Sequence, residues 1–404
     1  MKALRIAHLA DLHLGYRQYE RQTPRGGNQR EADVADACRR AVDDVLAQRP
    51  DLVLLAGDVF HSVRPTNAAI LFLFQQLQRI RSGLPDASVI AIAGNHDTPR
   101  STETGSILKL YETLGVEIVA DRARRIAIPR LDCAVLAVPH EALVGEDRPA
   151  LRPEPGATHN VLVTHGEMEG LFPPDRLPLE FGGAHLTRAD LGLPQWDYVA
   201  LGHYHVAHEI ARNCWYSGSL DYVSTNVWGE LVEQEERKRA GKGYLLVELP
   251  GARVQFRPVA PVRRFLNLPA IRGEGLTAKE IDARIAATVE SARPPIDGQV
   301  ARLVVHDVSR ATARDLDHTA IRGYKGRALQ FLLDVRRPVP ARVVGVGAPG
   351  RRLTLPETLR DYLSRRPLDA DLDRTAFVEL GTRYLAEASA AAEAAAEAGG
   401  EAGP

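Results

Sequence analysis

The chain has 404 residues, 45% of them hydrophobic, with 51 Lys and Arg against 52 Asp and Glu for a formal net charge of −1. That length allows two or three domains with a large buried core, and the near-neutral balance excludes a global basic field for nucleic acid. No run of about 18 apolar residues is present to span a membrane, the start reads as a strand rather than a cleavable leader, and Cys38, Cys133 and Cys214 are too few and scattered for a disulfide framework. A reducing cytoplasm is the expected setting.

In chain order, residues 4–10 form an apolar run closed by Asp11-Leu12-His13. Arg17, Arg21, Arg25 and Arg30, interleaved with Tyr16 and Tyr19, follow as either a solvated surface or a track leading a phosphate backbone toward Asp11 and His13. Residues 30–48 carry Val34, Ala37, Cys38, Ala41, Val42 and Val45 at helical spacing. Residues 52–55 are a buried strand cut off by Gly57-Asp58, with His61 three residues on. A second helix spans 66–81, capped by Thr66 or Asn67. It is apolar all the way round, so its outer side meets either the chain's own core or a second copy.

The run 89–93 ends at Gly94-Asn95-His96-Asp97. A helix over 103–114 precedes strands at 116–119, 124–128 and 133–138 of a second sheet, and 140–158 read as loop. Two more strands end at His165-Gly166 and at Gly202-His203-Tyr204-His205. The charged stretch 230–242 reads as a connector, a solvated loop or a helical turn, and strands at 243–249 and 253–257 close a first domain, 1–257.

Past the prolines at 258–261 the pattern is β-α-β-α-β: strand 265–271, helix 277–292, strand 300–308, helix 311–321, strand 328–335. This is a small second domain, 262–337. Residues 338–356 read as a Pro- and Gly-rich linker. Helices at about 357–366 and 373–395 make up a tail, 357–404, whose Ala/Glu-rich end is expected to fray.

Five apolar strands thus end in Asp, Asn or His, at the edge where α/β sheets place ligands. Seven side chains stand out: Asp11, His13, Asp58, Asn95, His165, His203 and His205. Mixed imidazole and oxygen donors suit Mn, Fe, Zn or Co. Seven are too many for one ion and enough for two sharing Asp58, and two ions about 3.5–4 Å apart clamp an in-line attack at phosphorus. Phosphodiester hydrolysis demands rate factors of about 10¹⁷, whereas one general acid or base supplies about 10²–10⁴. No Ser-nucleophile motif is present.

Asp11-Leu12-His13, Gly57-Asp58-Val59-Phe60-His61, Gly94-Asn95-His96-Asp97, Thr164-His165-Gly166 and Gly202-His203-Tyr204-His205 resemble the motifs of the calcineurin-like metallophosphoesterases. Within that group, DLHLGYRQY, GDVFHSVRPT and YSGSLDYVSTNVWGE followed by KGYLLVEL resemble the SbcD-type nuclease subunits of double-strand-break repair. The resemblance implies a four-layer αββα sandwich with a small α+β cap and a C-terminal helical tail. It also implies a Mn-dependent nuclease, 3′-to-5′ exonuclease on duplex and endonuclease on single strands. One metal would take Asp11, His13, Asp58 and His205, the other Asp58, Asn95, His165 and His203. His96 would stabilise the transition state, His61 assist at the phosphate, and Asp97 orient His96. Arg17, Arg21, Arg263 and Arg264 are the DNA-contact candidates, with Arg336 and Arg337 beside them. Expected partners are DNA, a second copy through helix 66–81, and a coiled-coil ATPase of the SbcC type docking on the tail, which otherwise packs on the chain's own cap. The other readings are a phosphatase or phosphodiesterase of small substrates and a DNA-tethering scaffold.

Overall fold

The computed structural model describes residues 3–99, 105–145, 147–171, 182–238, 241–338, 354–366, 368 and 372–399. Two six-stranded mixed sheets form its centre. The first runs Arg253–Pro258, Gly243–Leu249, Leu4–Leu9, Leu52–Ala56, Ser88–Ile92, Glu117–Val119, and the second His208–Ala211, Cys214–Tyr216, Tyr198–Gly202, His159–His165, Cys133–Val138, Arg124–Ile128. The strands that carry the expected ligands are parallel within each sheet.

Side-chain alternation explains the layering. Leu52, Leu54 and Ala56 point between the sheets, into a core shared with Val135, Val161 and Ala200. Val53 and Leu55 point outward, under the helices Gln29–Gln48 and Asn67–Gly83. Burial on both faces makes the strand read as one continuous apolar run. Leu162, Val199 and Leu201 on the far side of the second sheet lie under Leu143, Leu191 and Trp196. The result is the expected sandwich of helix, sheet, sheet and helix.

The helix caps are local. Asn28 accepts from the backbone of Arg30 and Glu31, and Thr66 from that of Ala69. The helix Asn67–Gly83 buries Ala69, Leu73, Leu77 and Ile80, but Leu71 is 62% exposed and Phe74 37%. One side is core, as expected; the other is open in the single chain.

Several expectations are corrected. Glu117–Val119 pairs with Ser88–Ile92 and so extends the first sheet, not the second. The helix expected over 103–114 is a 3₁₀ helix, Ile107–Leu114; residues 100–104 lie outside the described ones. The stretch 140–158 opens with a short helix, His140–Val144. The charged stretch 230–242 begins in a helix, the second of its two expected forms, but it is not solvated. A helix, Val227–Glu236, buries Glu230, Glu233 and Gln234, because Lys242 pairs with Glu230 and Arg237 with Glu233.

The second domain is a four-stranded, all-parallel sheet backed by helices. Its expected first strand is two pieces, Phe265–Asn267 and Ile271–Arg272; Pro269 between them has no N–H for a ladder. Its expected second helix is also two, Arg310–Arg314 and His318–Arg327. Buried charges fasten this domain to the first. The Arg30 guanidinium meets Asp33 at 3.3 Å and Asp221 at 3.1 Å and lies over the Phe265 ring. Arg263 reaches the same Asp33 at 2.6 Å.

The C-terminal unit is a pair of helices, Leu355–Arg365 and Arg374–Gly399. They meet where Leu363 fills the space a side chain at Gly381 would take. Arg374 donates to the carbonyls of Ser364 and Arg366, both at 2.8 Å. The second helix runs past the expected residue 395, and most of the expected linker, 339–353, lies outside the described residues. Among the described residues no helix is long and apolar enough to cross a membrane.

Candidate metal centre

The loops that follow the ligand-bearing strands are strained in the same way. Asp11, His13, Asp58 and His203 have φ of 54°, 43°, 49° and 105°. Such backbone costs about 1–3 kcal/mol per residue and persists only where the surroundings over-determine it. Here the loops hold one another. Asp11 N donates to Gly57 O at 3.0 Å and His13 N to Asp58 O at 2.9 Å. His203 N donates to Asp11 Oδ1, and His96 N to Asp58 Oδ1, each at 2.9 Å.

This brings all seven expected ligands together. Asp11, His13 and His205 converge in one cluster, and Asp58, His165 and His203 in another. Asn95 joins the second, its Oδ1 lying 2.9 Å from His165 Nε2 and 3.2 Å from His203 Nδ1. Asp58 Oδ2 lies between the clusters, 3.3 Å from His165 Nε2 and 3.7 Å from His13 Nε2. It is fully buried, paired with His165 when that ring is protonated, and in hydrogen-bond geometry with neither ring. A buried carboxylate oxygen in that state is costly unless a cation completes it. His13 Nε2 and His205 Nε2 are 3.1 Å apart, the separation of two nitrogens bound to one ion at about 2.0–2.1 Å. The residues present fit divalent metal, and Asp58 is placed where two such ions would share it.

The electrostatics agree for three of the four imidazoles. Burial holds His13 and His205 well below the ordinary imidazole range and brings His203 down to about 3, so all three keep a lone pair at neutral pH. His165 behaves differently: burial opposes its charge, but Asp58 and Asp11 outweigh it and raise it to about 9. Its Nδ1 faces the Ala56 carbonyl at 2.8 Å. A carbonyl only accepts, so Nδ1 carries a proton and Nε2 is the atom aimed at Asp58. Burial works to raise the Asp58 carboxyl, but the positive influence of His165 and then His13 outweighs it and leaves the group well below the usual range.

His61 and His96 stack with centroids 5.3 Å apart, and His96 crosses His13 edge-on at 4.8 Å. The His96 Nδ1 is 2.8 Å from the His61 carbonyl. By the same reasoning Nδ1 carries a proton, which makes Nε2 the exchanging atom. Asp97 differs from expectation. Its carboxylate accepts backbone N–H from Val59 at 3.0 Å, Phe60 at 2.9 Å and Gly94 at 3.1 Å. It steadies the loops of Asp58 and Asn95 rather than orienting the His96 ring. Burial and the neighbouring Asp58 push it up to about 7.

Glycines leave the room. A side chain at Gly94 would overlap Asp58, and one at Gly57 or Gly202 would overlap His165. Gly183, which carried no sequence signal, lies against the His203 ring in the same way. Lys242 and Glu230 also escaped the sequence reading, because a charged string gives no sign of being folded inward.

Three of the four expected DNA-contact arginines are engaged within the protein. Arg17 pairs with Glu31 at 2.7 Å, Arg21 donates to Gly326 O at 2.7 Å and Ala328 O at 3.0 Å, and Arg263 pairs with Asp33. Arg21 and Arg263 instead join the two domains. Arg264 is exposed.

Residues 4–207 match the family model described as calcineurin-like phosphoesterase. Among curated proteins the chain is similar to several named DNA double-strand break repair protein Mre11. That of Methanocaldococcus jannaschii is 28% identical over 61% of this chain and 63% of its own. That of Methanosarcina mazei is 27% identical over 89% and 54%. That of Methanopyrus kandleri is 24% identical over 83% and 72%. The chain thus spans less than two thirds of the length of the first two.

Proposed function

The chain belongs to the calcineurin-like phosphoesterase family, and from that premise we propose that it is a Mn-dependent DNA nuclease acting in double-strand-break repair. The observation that carries the phosphodiester chemistry is the position of Asp58 Oδ2 between two ligand clusters, buried and without a hydrogen bond. When bound, a pair of cations lowers the pKa of a water toward about 7 and neutralises charge on the phosphate. In this proposal Asp11, His13, Asp58 and His205 hold one ion and Asp58, Asn95, His165 and His203 the other. His96, its Nδ1 fixed by the His61 carbonyl, uses Nε2 to hold charge and proton at the leaving oxygen. His61, stacked on it, steers the phosphate.

DNA as substrate rests on the similarity to Mre11 proteins and on the second domain fastened to the first by Arg21, Arg30 and Arg263, which a small-substrate enzyme does not need. The 3′-to-5′ exonuclease and single-strand endonuclease activities are part of the same reading, with Arg264 as the remaining candidate among the four arginines. The open face of Leu71 and Phe74 suits a homodimer. Leu355, Tyr362, Leu380 and Tyr384, all exposed on the C-terminal helical pair, suit a coiled-coil ATPase partner. A cytoplasmic location completes the proposal.

The test is an end-labelled duplex and a small phosphodiester, each with and without Mn²⁺, beside Asp58→Ala. The proposal expects Mn-dependent digestion of DNA that the variant lacks. Cleavage of the small ester alone would replace it with a phosphodiesterase of small substrates.

A further inference from the structure

Among the described residues of the first domain, Lys242 is the one lysine or arginine besides Arg30 that is almost wholly buried, at 2% exposure. Its Nζ donates to the carbonyl of His205 at 2.8 Å and to Ser219 Oγ at 2.9 Å. The same carbonyl accepts Ser219 N at 3.1 Å, while the Ser219 hydroxyl gives its proton to Asp221 O at 2.8 Å. Two donors on one peptide oxygen pin the backbone of a residue whose ring faces His13. The charge on Lys242 is balanced by Glu230, which is itself fully buried and ion-paired to it. Taking both charges from water costs several kcal/mol per ion, so packing alone does not call for this pair here.

Glu230 belongs to the helix Val227–Glu236, whose Val227 and Trp228 pack with Phe265, Val300 and Leu329 of the second domain. Tyr222 belongs to that same cluster, and Lys242 Nζ lies 4.9 Å from the centre of its ring. Arg302 of the second domain lies over the Trp228 ring, 4.7 Å from its centre. A continuous line of contacts runs from the second domain through this helix and Glu230 to Lys242, and from there to His205.

We propose that Lys242, held by Glu230, is a positioning residue that sets His205 in place for the ion shared with Asp11 and His13, and that it ties this ion's site to the second domain. The inference rests on the two-cation reading above. Outer partners of metal ligands are worth about 10–100-fold in metal affinity, and that is the size of effect expected.

The test is calorimetric titration of the metal-free full chain with MnCl₂, reading each binding event separately. Lys242→Met alone strands a buried carboxylate and is expected to fold poorly, so the double variant Lys242→Met/Glu230→Gln, which removes both charges, is the one to read. Ser219→Ala is the mild companion. The double variant is expected to weaken one of the two binding events about 10–100-fold and leave the other at the wild-type value. Ser219→Ala is expected to shift the same event in the same direction by less. Two wild-type events in both variants, or an equal loss at both sites, would overturn the positioning role. If the double variant does not fold, an unchanged Ser219→Ala overturns it and a selective shift supports it. Fewer than two events in the unmodified protein would remove the two-cation reading itself, a different failure from an unaffected variant.

Discussion

The two domains contain the same ingredients, parallel strands with loops at their carboxyl ends, yet only one of them builds a site. In the second domain a left-handed residue, Asp307 at φ 61°, also follows a strand. That strand edge opens on a cavity of about 500 Å³ lined by Arg310, Arg314, His318 and Arg337. Among the described residues no group of His and carboxylates with metal-ligand spacing forms there. The difference is one of dimensionality. A single sheet sets its strand ends in a row, whereas two sheets stacked about 10 Å apart bring loops in from both sides to surround a point. Asp11, Asp58 and Asn95 come from one sheet and His165, His203 and His205 from the other. The ligand set therefore depends on packing between the sheets as much as on any motif.

The largest expected effect comes from removing the residue that belongs to both sides. Asp58→Ala should lower DNA hydrolysis by about 10³-fold or more, as loss of a preorganised electrostatic group does, and elemental analysis should find fewer than two metals per chain. Gly94→Ala should approach it without touching a ligand. The new methyl group overlaps the Asp58 backbone and carboxylate, and misplacement by about 1 Å costs roughly 10²-fold. Equal activity and metal content in Gly94→Ala would show that the loops are not as tightly set as described. His96→Ala should keep both metals and lose about 10²–10⁴-fold in kcat, which separates the residue that holds charge from those that hold metal. Full activity there would remove His96 from its role.

The sequence was informative where chemistry is local. Each candidate ligand lies at a strand end or within a few residues of it, so an abrupt change from apolar run to Gly, Asp or His marked all seven candidates, and the 3.6-residue spacing exposed the helices Gln29–Gln48 and Asn67–Gly83. It was uninformative where a residue's fate depends on a distant partner. Glu117–Val119 carries no mark of which sheet it joins. Glu230 and Glu233 look no different from solvated glutamates until Lys242 and Arg237 meet them. Asp97, adjacent to His96 in sequence, looks like a partner for that ring and serves the backbone of Val59, Phe60 and Gly94 instead. Arg21 and Arg263, placed among the DNA-contact candidates by charge, fasten one domain to the other.

Smaller effects test that fastening. Arg263→Ala removes one of the two arginines on Asp33 and should lower stability by about 1–3 kcal/mol in urea unfolding, with metal content unchanged. A loss of metal with no loss of stability would place Arg263 elsewhere in the account. Asp44 accepts two N–H from Arg257, at 2.9 and 2.8 Å, and the Tyr244 hydroxyl at 2.7 Å. Those bonds, the Arg257 one first, lower its pKa below the ordinary carboxylate value. Asp44→Asn should cost about 1 kcal/mol at neutral pH. Because the folded pKa is the lower one, the contribution is present above the ordinary carboxylate pKa and disappears as pH falls through the folded value. Urea midpoints of the two proteins should therefore converge in acid, and a gap that persisted there would mean the charge is not what Asp44 supplies.

The central claim is that Asp58 stands between two cations. Crystals grown with MnCl₂ and measured for anomalous scattering test it directly. The account predicts two peaks about 3.5–4 Å apart, one against Asp11, His13 and His205, the other against Asn95, His165 and His203, with Asp58 Oδ2 between them. A single peak, or two that do not share Asp58, would contradict it.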